Sequence, residues 1–343
     1  MSGVDTPIDP RAGGRSCIVF LHGFGRWGAE YYNLAMALAQ RGFVAVLPNS
    51  GQFSLDELFA DAVAMRDSIA LAARTRGHLF DGKLDLARMG LVGHSYGGTT
   101  CARVLARNDG YRAGIAIAPV FVDDTVQNAR VPFLVLHGGG DTLIPWRDGD
   151  KVYRAATSYR DVKAFLRLGT AAQHLNVAGM ELASVNDEEV WSICADALSG
   201  FLLRFVEDDV DALATALGPE VRRQSLVDDL RTEIDEPQLL QLEPAHSAKS
   251  FRIAIAAEPG PYGLALGASK TSLSTPFGEL GLDPATLLVI GIGTTGTSKL
   301  TELVLDTPSD PRFIGHDFGL QALATRARVG LRLSPPVWIT IQP

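Results

Sequence analysis

The stretch Met89-Gly90-Leu91-Val92-Gly93-His94-Ser95-Tyr96-Gly97-Gly98 decides the fold. Its first four residues form a short apolar run that predicts a buried strand, and Tyr96–Asn108 has the pattern of a helix. Glycines two positions before and after Ser95 permit a sharp turn, because larger side chains would collide with the neighbouring strand and helix. Such a turn lifts a serine above the sheet and points a helix N-terminus at the reacting oxygen. The stretch therefore predicts a nucleophilic Ser95.

Similar apolar runs alternate with helical patterns through the first 205 residues. Each run is bounded by Gly, Pro or Asn, which is typical of a strand buried on both faces. The predicted strands are Ser16–Leu21, Phe43–Leu47, Met89–Val92, Gly114–Ala118, Pro132–His137 and Val162–Leu168; the predicted helices are Glu30–Arg41, Leu55–Arg76, Tyr96–Asn108, Arg147–Thr157 and Asp187–Val206. This alternation predicts an α/β fold: a doubly wound, mostly parallel sheet with the site at the carboxyl ends of its strands.

Two later strand ends supply partners for Ser95. A serine hydroxyl is a poor nucleophile at neutral pH, so it needs a base that an acid orients. Asp141 follows Pro132–His137 in a glycine-rich loop, and His174 lies on the loop after Val162–Leu168. Both are expected at the same edge of the sheet as Ser95, in the chain order Ser, Asp, His. The sequence therefore predicts these three as the catalytic residues.

Other side chains compete for the same roles. The alternative acids are Asp123, Asp124, Asp148 and Asp150, and the alternative bases are His78 and His137. Asp148 and Asp150 lie near a predicted helix start, where acids favour the helix dipole. His78 lies in a turn, where a solvated side chain is expected, and His137 is expected to be structural. His94 is expected to pack beneath the turn.

An oxyanion formed at Ser95 needs two backbone N–H donors. The amide of Tyr96, the residue directly after Ser95, is expected to be one of them. The other is expected from His22-Gly23-Phe24-Gly25, which follows the first strand. Phe24 is the candidate donor in this loop and Gly25 is its alternative.

These segments resemble the α/β-hydrolase superfamily. More narrowly, the first domain resembles the group that holds dienelactone-hydrolase-like esterases, chlorophyllase-like and platelet-activating-factor-acetylhydrolase-like enzymes and the cutinase-like polyester hydrolases. The matching segments are His22-Gly23-Phe24, Gly93-His94-Ser95-Tyr96-Gly97-Gly98, Gly140-Asp141-Thr142-Leu143-Ile144-Pro145 and Gln173-His174-Leu175-Asn176. The resemblance implies hydrolysis of a carboxylic ester through an acyl-enzyme.

The resemblance also implies which side chains meet the substrate. Aromatic residues flank the cleft in the polyester hydrolases, so Phe24, Tyr96 and Trp146 are candidate contacts, together with Val120. A tryptophan common in that group is replaced here by Pro119-Val120, and a tight aromatic clamp is therefore not expected. The dienelactone hydrolases proper use cysteine, so Ser95 favours ordinary esters.

The connection between the fourth and fifth predicted strands is short. Only residues 119–131 lie there, too few for a substantial helical lid. The sequence therefore predicts an open groove, suited to a large or surface-bound ester or to a small one without enclosure.

Composition excludes several other classes of protein. The 343 residues are 46% hydrophobic and 20% charged, which excludes a disordered chain and favours two domains. A net charge of −8 argues against a nucleic-acid partner, and the apolar runs are too short for a membrane span. No CxxC pair or Cys/His cluster indicates zinc, and no cofactor is expected. Buried free thiols are expected at Cys17, Cys101 and Cys194.

The segment after the first 205 residues carries most of the negative charge. Apolar spacing over Val210–Leu217 and Val221–Leu230 predicts two short helices. From Phe251 the pattern becomes one of short strands and turns, typical of a small β-sandwich. Its predicted strands are Phe251–Ala257, Tyr262–Ala268, Leu287–Ile292, Leu300–Leu305, Phe318–Leu323 and Val337–Ile341. The predicted organisation is a catalytic domain over 1–206, an acidic helical connector over 207–250 and a β-sandwich-like domain over 251–343.

One motif in this segment matches a nucleotide-binding pattern. Gly291-Ile292-Gly293-Thr294-Thr295-Gly296 fits G-x-G-x-x-G, but a dinucleotide site also needs a following helix. Thr297–Leu305 is more typical of a strand, so a β-hairpin turn is predicted instead.

The leading hypothesis is a metal-independent serine esterase, acting on a short or medium acyl ester or on a polyester. One alternative is a surface-binding protein with a relic hydrolase domain, and another is a hydrolase of amides or thioesters. The last domain could bind an insoluble substrate, serve secretion or stabilise the protein. Residues 1–16 lack the apolar segment of a signal peptide, so a mature secreted form or a cytosolic protein is expected. The oligomeric state is left open.

Overall fold

The structure is a computed structural model that describes residues 8, 13–51, 53–107, 110–122, 127–328 and 330–343. The chain forms two compact units: Met1–Asp209 with Val221–Arg231, and Val210–Glu220 with Thr232–Pro343. Within the described ranges, none of the helices combines the length and the apolar character needed to cross a bilayer.

The first unit is built on a seven-stranded sheet. Its strands are β1 (Arg15–Leu21), β2 (Val44–Val46), β3 (Leu84–His94), β4 (Ala113–Ile117), β5 (Phe133–Gly138), β6 (Val162–Leu168) and β7 (Val227–Ile234). Their order across the sheet is β2-β1-β3-β4-β5-β6-β7, and all pairs from β2 to β6 are parallel. β4 and β5 are buried at every position, as expected of central parallel strands. The predicted α/β class with a mostly parallel sheet is confirmed.

Helices connect these strands close to the predicted positions. They are α1 (Tyr32–Gln40), α2 (Leu55–Arg74), α3 (Tyr96–Ala106), α4 (Trp146–Ala155) and α5 (Val185–Val206). α2 begins after Ser54, whose side chain accepts a hydrogen bond from the Glu57 amide, as the capping spacing predicts. The predicted start of α1 at Glu30 falls in a separate 3₁₀ turn, Gly28–Tyr31. Asn108, the predicted end of α3, lies outside the described residues.

The three cysteines are buried free thiols, as predicted. Burial raises the pKa of Cys17 and of Cys194 to about 12, so both remain protonated at neutral pH. These thiols therefore contribute to packing and supply no nucleophile to the first unit.

Gly97 allows α3 to start directly against the end of β1. A Cβ at this position would lie 2.0 Å from the Leu21 carbonyl oxygen and 2.6 Å from that of His22. Both are backbone atoms of a buried strand end, so they cannot move aside. We expect Gly97→Ala to lower the free energy of unfolding by about 3 kcal/mol or more, measured by urea denaturation.

Gly296→Ala is the matched control for this prediction. Among the described residues, a Cβ added at Gly296 would meet open space. The control is expected to stay within about 0.5 kcal/mol of the wild type. Equal stability of the two variants would show that α3 does not depend on the close approach at Gly97.

The segment predicted as a helical connector over 207–250 is organised differently. Helices α6 (Ala214–Leu217) and α7 (Pro219–Arg223) are short, and β7 (Val227–Ile234) and β8 (Gln238–Gln241) follow them. The predicted helix Val221–Leu230 is therefore wrong beyond Arg223. Apolar spacing over so few residues fits a helix or a strand, and pairing beside β6 decides in favour of the strand. The segment has no compact body of its own, since its residues are divided between the two units.

The second unit is made of antiparallel strands. They are β8 (Gln238–Gln241), β9 (Ser250–Ala256), β10 (Gly260–Gly267), β11 (Lys270–Thr275), β12 (Gly278–Leu282), β13 (Leu288–Thr295), β14 (Leu300–Asp306), β15 (Asp317–Thr325), β16 (Leu331–Leu333) and β17 (Val337–Thr340). β14-β9-β8 form one sheet, β13-β10-β15-β16 with β17 form another, and β11-β12 form a hairpin. Side chains of both larger sheets share one core, which includes Phe251, Ile253, Leu320 and Ile339. The predicted small β domain is confirmed.

The glycine-rich motif lies in a strand of this unit. Gly291 and Gly293 belong to β13, and the next element is the strand β14. The predicted hairpin is wrong, because β13 pairs with β10 whereas β14 pairs with β9 in the other sheet. Gly293 lies opposite Tyr262, and a Cβ there would be 2.6 Å from the tyrosine hydroxyl oxygen. The glycine thus makes room for a cross-strand tyrosine.

Candidate active site

Ser95 stands between β3 and α3 with an unusual backbone. Its φ of 56° and ψ of −121° place a non-glycine residue at positive φ, which costs energy and is typical of functional turns. Its amide donates to the Ile117 carbonyl oxygen at the end of β4, over 2.9 Å. The strained turn is therefore tied to the neighbouring strand, and its side chain is held at the carboxyl edge of the sheet.

Asp141 lies in the loop after β5 with both carboxylate oxygens engaged. Oδ1 accepts the amides of Leu143 and Ile144 at 2.9 and 2.8 Å. Oδ2 lies 2.7 Å from Nδ1 of His174. The structure thus brings the predicted acid and the predicted base into direct contact.

The surroundings of Asp141 favour its ionised form. Burial raises the pKa of this carboxyl, but hydrogen bonds from His137, His174 and the Ile144 amide outweigh burial and hold it well below its usual range. A carboxylate can only accept, so Nδ1 of His174 carries a hydrogen. Nε2 of the neutral ring is then bare and able to accept a proton.

His174 is held by its own loop. The Asn176 side chain accepts from the Gln173 amide at 2.8 Å and donates to Asp187 at 2.7 Å, at the start of α5. The His174 ring lies 4.5 Å from the ring of His94, centroid to centroid. Because His94 directly precedes Ser95, this contact places the predicted base beside the turn that carries Ser95.

The loop after β1 runs close to Ser95, the predicted nucleophile. A Cβ at Gly23 would lie 3.2 Å from the Ser95 Cβ. The Gly23 amide donates to the Tyr31 hydroxyl at 3.0 Å, and the Ser95 amide donates to Ile117. Both amides are therefore occupied, and Phe24, with Gly25 as its alternative, and Tyr96 stay the predicted oxyanion donors.

Three aromatic side chains cluster beside Ser95. The ring of Phe24 makes edge contacts with Tyr96 at 5.2 Å and with Phe53 at 5.4 Å. Phe24 is 51% exposed and Phe53 is 69% exposed, so their faces are open to solvent. Phe53 is not among the contacts predicted from the sequence, where the available signal was a phenylalanine in the polar loop after β2.

The other predicted substrate contacts lie in packed surroundings. Trp146 opens α4 and packs against the core, and the Arg167 guanidinium lies 4.3 Å from its ring centroid. The Thr99 hydroxyl donates to the Val120 carbonyl oxygen at 2.7 Å and accepts from the Val120 amide at 3.1 Å. Contact of these two residues with a substrate stays a prediction.

The competing acids and bases have other partners. Asp148 pairs with Lys151 at 3.2 Å and Asp150 with Arg154 at 2.9 Å. His78 is exposed in a turn. His137 is buried, and its Nε2 lies 3.0 Å from the Ile144 carbonyl oxygen and 3.5 Å from Oδ2 of Asp141, on which it acts as a structural neighbour. Asp123 and Asp124 lie outside the described residues, as does part of the predicted lid-free connection over 119–131. In the described ranges, no group of three or more His, Cys, Asp or Glu side chains could hold a metal ion.

His94 makes stability depend on pH. Burial lowers its pKa to about 3, and the charges of His174 and His137 lower it further. The hydrogen bond to the His174 backbone and the charge of Asp141 raise the pKa but do not outweigh burial. In the unfolded chain the pKa is about 6.5, so between pH 6.5 and 3 only the unfolded state binds the proton. Stability therefore falls as the pH falls. Between pH 7 and pH 5, the free energy of unfolding should fall by about 2 kcal/mol because of His94.

Urea denaturation at pH 7 and pH 5 measures this effect. We expect His94→Gln to lose about 2 kcal/mol less than the wild type between the two pH values. His78→Gln, at an exposed position, is the control and should keep the wild-type dependence. The same pH dependence in all three proteins would contradict a buried neutral His94.

Comparisons with known proteins identify a family for the first part of the chain. Residues 7–231 match the model of a family described as PET hydrolase-like. The chain is 24% identical over 204 residues to bis(hydroxyethyl) terephthalate hydrolase of Streptomyces coelicolor, which covers 59% of this chain and 61% of that protein. It is 31% identical over 139 residues to a Methylorubrum extorquens protein named as a carboxymethylenebutenolidase, covering 36% of this chain and 47% of that protein.

The chain spans less than two thirds of the length of these two curated relatives. The family match is broader, because it runs from before β1 into β7 and includes Ser95, Asp141 and His174. The predicted resemblance to the polyester-hydrolase group is confirmed, and the chain belongs to the PET hydrolase-like family of the α/β-hydrolase superfamily.

Proposed function

We propose that the protein is a serine hydrolase of carboxylic esters that works through an acyl-enzyme. The observation that carries the proposal is the 2.7 Å contact of His174 with the buried Asp141, beside a serine held at positive φ. These are the three parts that nucleophilic acyl transfer needs: nucleophile, base and orienting acid. The family match and the names of both relatives support ester chemistry.

In the first half of the reaction, Ser95 Oγ attacks the ester carbonyl carbon and its proton passes to Nε2 of His174. The carbonyl oxygen becomes an oxyanion, which the amides of Phe24 and Tyr96 stabilise. His174 then gives its proton to the departing alkoxide, and the alcohol leaves as the acyl-enzyme forms. The negative charge of Asp141 stabilises the imidazolium while it exists.

In the second half, water replaces the alcohol. The oxygen of the water attacks the acyl carbon while His174 accepts a proton from the water. The carbonyl oxygen becomes an oxyanion again, and the same two amides stabilise it. Collapse of this intermediate breaks the bond to Ser95, which takes the proton back. The carboxylic acid leaves and the enzyme returns to its starting state.

The substrate we propose is a large or polymeric ester with aromatic character. Phe24 and Phe53 are exposed beside Ser95, with the half-buried Tyr96 in contact with Phe24, and aromatic rings bind each other edge-to-face. One relative is named for an aromatic diester, bis(hydroxyethyl) terephthalate. Amide or thioester substrates share the same acyl chemistry, and rates on matched compounds distinguish them.

Phe53→Ala tests the aromatic contact. We expect KM for bis(hydroxyethyl) terephthalate to rise about threefold to tenfold, since an aromatic pair contributes about 0.5–1.5 kcal/mol. Steady-state kinetics measure this, with Phe313→Ala as the control because Phe313 is an exposed phenylalanine of the second unit. An unchanged KM in the Phe53 variant would exclude a contact between this ring and the substrate.

The decisive experiment for the function is covalent labelling. A fluorophosphonate reacts with a serine only when a base activates it, and mass spectrometry locates the adduct. We expect one adduct at Ser95, together with release of p-nitrophenol from short acyl esters. Absence of both would refute the proposal and favour a surface-binding protein with a relic hydrolase domain.

A further inference from the structure

A buried chain of hydrogen bonds runs beneath the candidate site. The Gly23 amide lies 3.0 Å from the Tyr31 hydroxyl oxygen, which lies 2.9 Å from Nδ1 of His94. Nε2 of His94 lies 2.8 Å from the carbonyl oxygen of His174. Tyr31 and His94 are both buried, with at most 1% of either exposed. Neither residue belongs to the catalytic set proposed above.

The donor and the acceptor of each of these three hydrogen bonds follow from the last one, at the His174 carbonyl oxygen. The His174 carbonyl oxygen can only accept, so Nε2 of His94 carries the hydrogen. Burial keeps the ring neutral, and Nδ1 is therefore bare and accepts from the Tyr31 hydroxyl. The tyrosine oxygen is then free to accept from the Gly23 amide. Only one tautomer of His94 and one orientation of the Tyr31 hydroxyl satisfy all three bonds.

These hydrogen bonds join three segments whose relative positions the proposed catalysis depends on. Gly23 precedes Phe24, the candidate oxyanion donor, and His94 precedes Ser95. His174 is the candidate base, and its backbone receives the last bond. We propose that Tyr31 and His94 are positioning residues that set the oxyanion loop and the base relative to Ser95. The proposal rests on the proposed function for its kinetic consequence, but its hydrogen-bond pattern is testable without a substrate.

Tyr31→Phe isolates the hydroxyl from the rest of the side chain. The Tyr31 ring packs against Phe20 at 4.5 Å between centroids, and phenylalanine keeps that contact. Without the hydroxyl, the Gly23 amide and Nδ1 of His94 both lose their partner. Because an oxyanion donor acts only in the transition state, we expect kcat to fall on the order of tenfold to a hundredfold while KM stays within about twofold.

His94→Leu removes the other member of the chain, and His94→Gln is its conservative partner, since a glutamine amide can still donate toward His174. We expect His94→Gln to retain more kcat than His94→Leu. If the chain acts as a unit, Tyr31→Phe with His94→Leu should be no slower than His94→Leu alone, because the chain is already broken. Tyr111→Phe is the control and should keep wild-type kcat, since this buried tyrosine precedes the amino end of β4, opposite the site.

Two readouts separate this proposal from the proposed function. Nitrogen NMR of ¹⁵N-histidine protein should show His94 protonated at Nε2 and bare at Nδ1, with the Nδ1 signal shifted in Tyr31→Phe. The rate constant of fluorophosphonate labelling reports on Ser95 without a natural substrate, and it should fall in parallel with kcat. If the wild type failed to hydrolyse esters but was labelled normally at Ser95, and Tyr31→Phe was labelled more slowly, the substrate class would be refuted and the positioning role supported.

Other results would overturn the positioning role. They are a His94 protonated at Nδ1 in the wild type, additive losses in the double variant, or a Tyr31→Phe protein with wild-type kcat and labelling rate. A Tyr31→Phe protein that changes only KM would also overturn it. Near-UV circular dichroism establishes that each variant compared is folded, and His94→Gln supplies the comparison if His94→Leu does not fold.

Discussion

The Ser95→Ala variant is expected to lose ester hydrolysis by a factor on the order of 10⁴ or more in kcat/KM. The Ser95 hydroxyl is the proposed nucleophile, and alanine leaves no oxygen to form the acyl-enzyme. Phe24, Tyr96 and the aromatic cluster remain in place, so the residual rate reflects binding and oxyanion stabilisation alone. Initial rates of p-nitrophenol release, with enzyme purified free of contaminating esterases, measure the loss.

The fold should tolerate this change. Alanine has the same Cβ as serine at a φ of 56°, so the backbone strain is neither relieved nor increased. Ser199→Ala, at a buried serine of α5, is the matched control and should hydrolyse esters at the wild-type rate. A Ser95→Ala protein as active as this control would refute the assignment of the nucleophile.

Asp141→Asn should lower kcat at neutral pH on the order of 10⁴-fold, with little change in structure. Oδ1 of Asp141 accepts the amides of Leu143 and Ile144, so the asparagine oxygen is expected to keep that place. The new NH₂ group then faces Nδ1 of His174, where the wild type has an accepting oxygen. Two donors cannot pair, so His174 must change tautomer: its ring hydrogen moves from Nδ1 to Nε2. A protonated Nε2 cannot accept the proton of Ser95.

Asp148→Asn is the control for this prediction. Asp148 is an alternative acid from the sequence, and its carboxylate pairs with Lys151 at the surface. The Asp148→Asn variant should be as active as the wild type. In the Asp141→Asn variant, ¹⁵N-histidine NMR should show that the His174 hydrogen has moved to Nε2. Equal activity of Asp141→Asn and wild type would remove Asp141 from the mechanism and return the role to another acid.

Much of the candidate site could be predicted because each part depends on local sequence. A glycine pair around Ser95, a glycine-rich loop before Asp141 and a loop residue at His174 each follow an apolar run. Parallel strands bring their carboxyl ends to one edge, so local signals along the chain translate into one place in space. The 2.7 Å contact of His174 with Asp141 agrees with that prediction.

The connector shows where local reasoning fails. Val227–Ile234 has spacing that fits a helix or a strand, and its place beside β6 in the first sheet makes it a strand. A chain cut after residue 206 would therefore lose a strand of the sheet that supports the site. The hairpin predicted at Gly291–Gly296 fails for a related reason, because β13 and β14 find partners in different sheets.

The sequence by itself determined the fold class, the turn at Ser95 and the loops that carry the proposed acid and base, because turns and buried strands are encoded in neighbouring residues. Only the tertiary structure decided that Phe53 joins Phe24 and that Tyr31 reaches His94, 63 residues further along the chain. It also decided that β7 completes the first sheet. These contacts join residues far apart in sequence, and no local periodicity specifies which distant polar group will satisfy a buried donor.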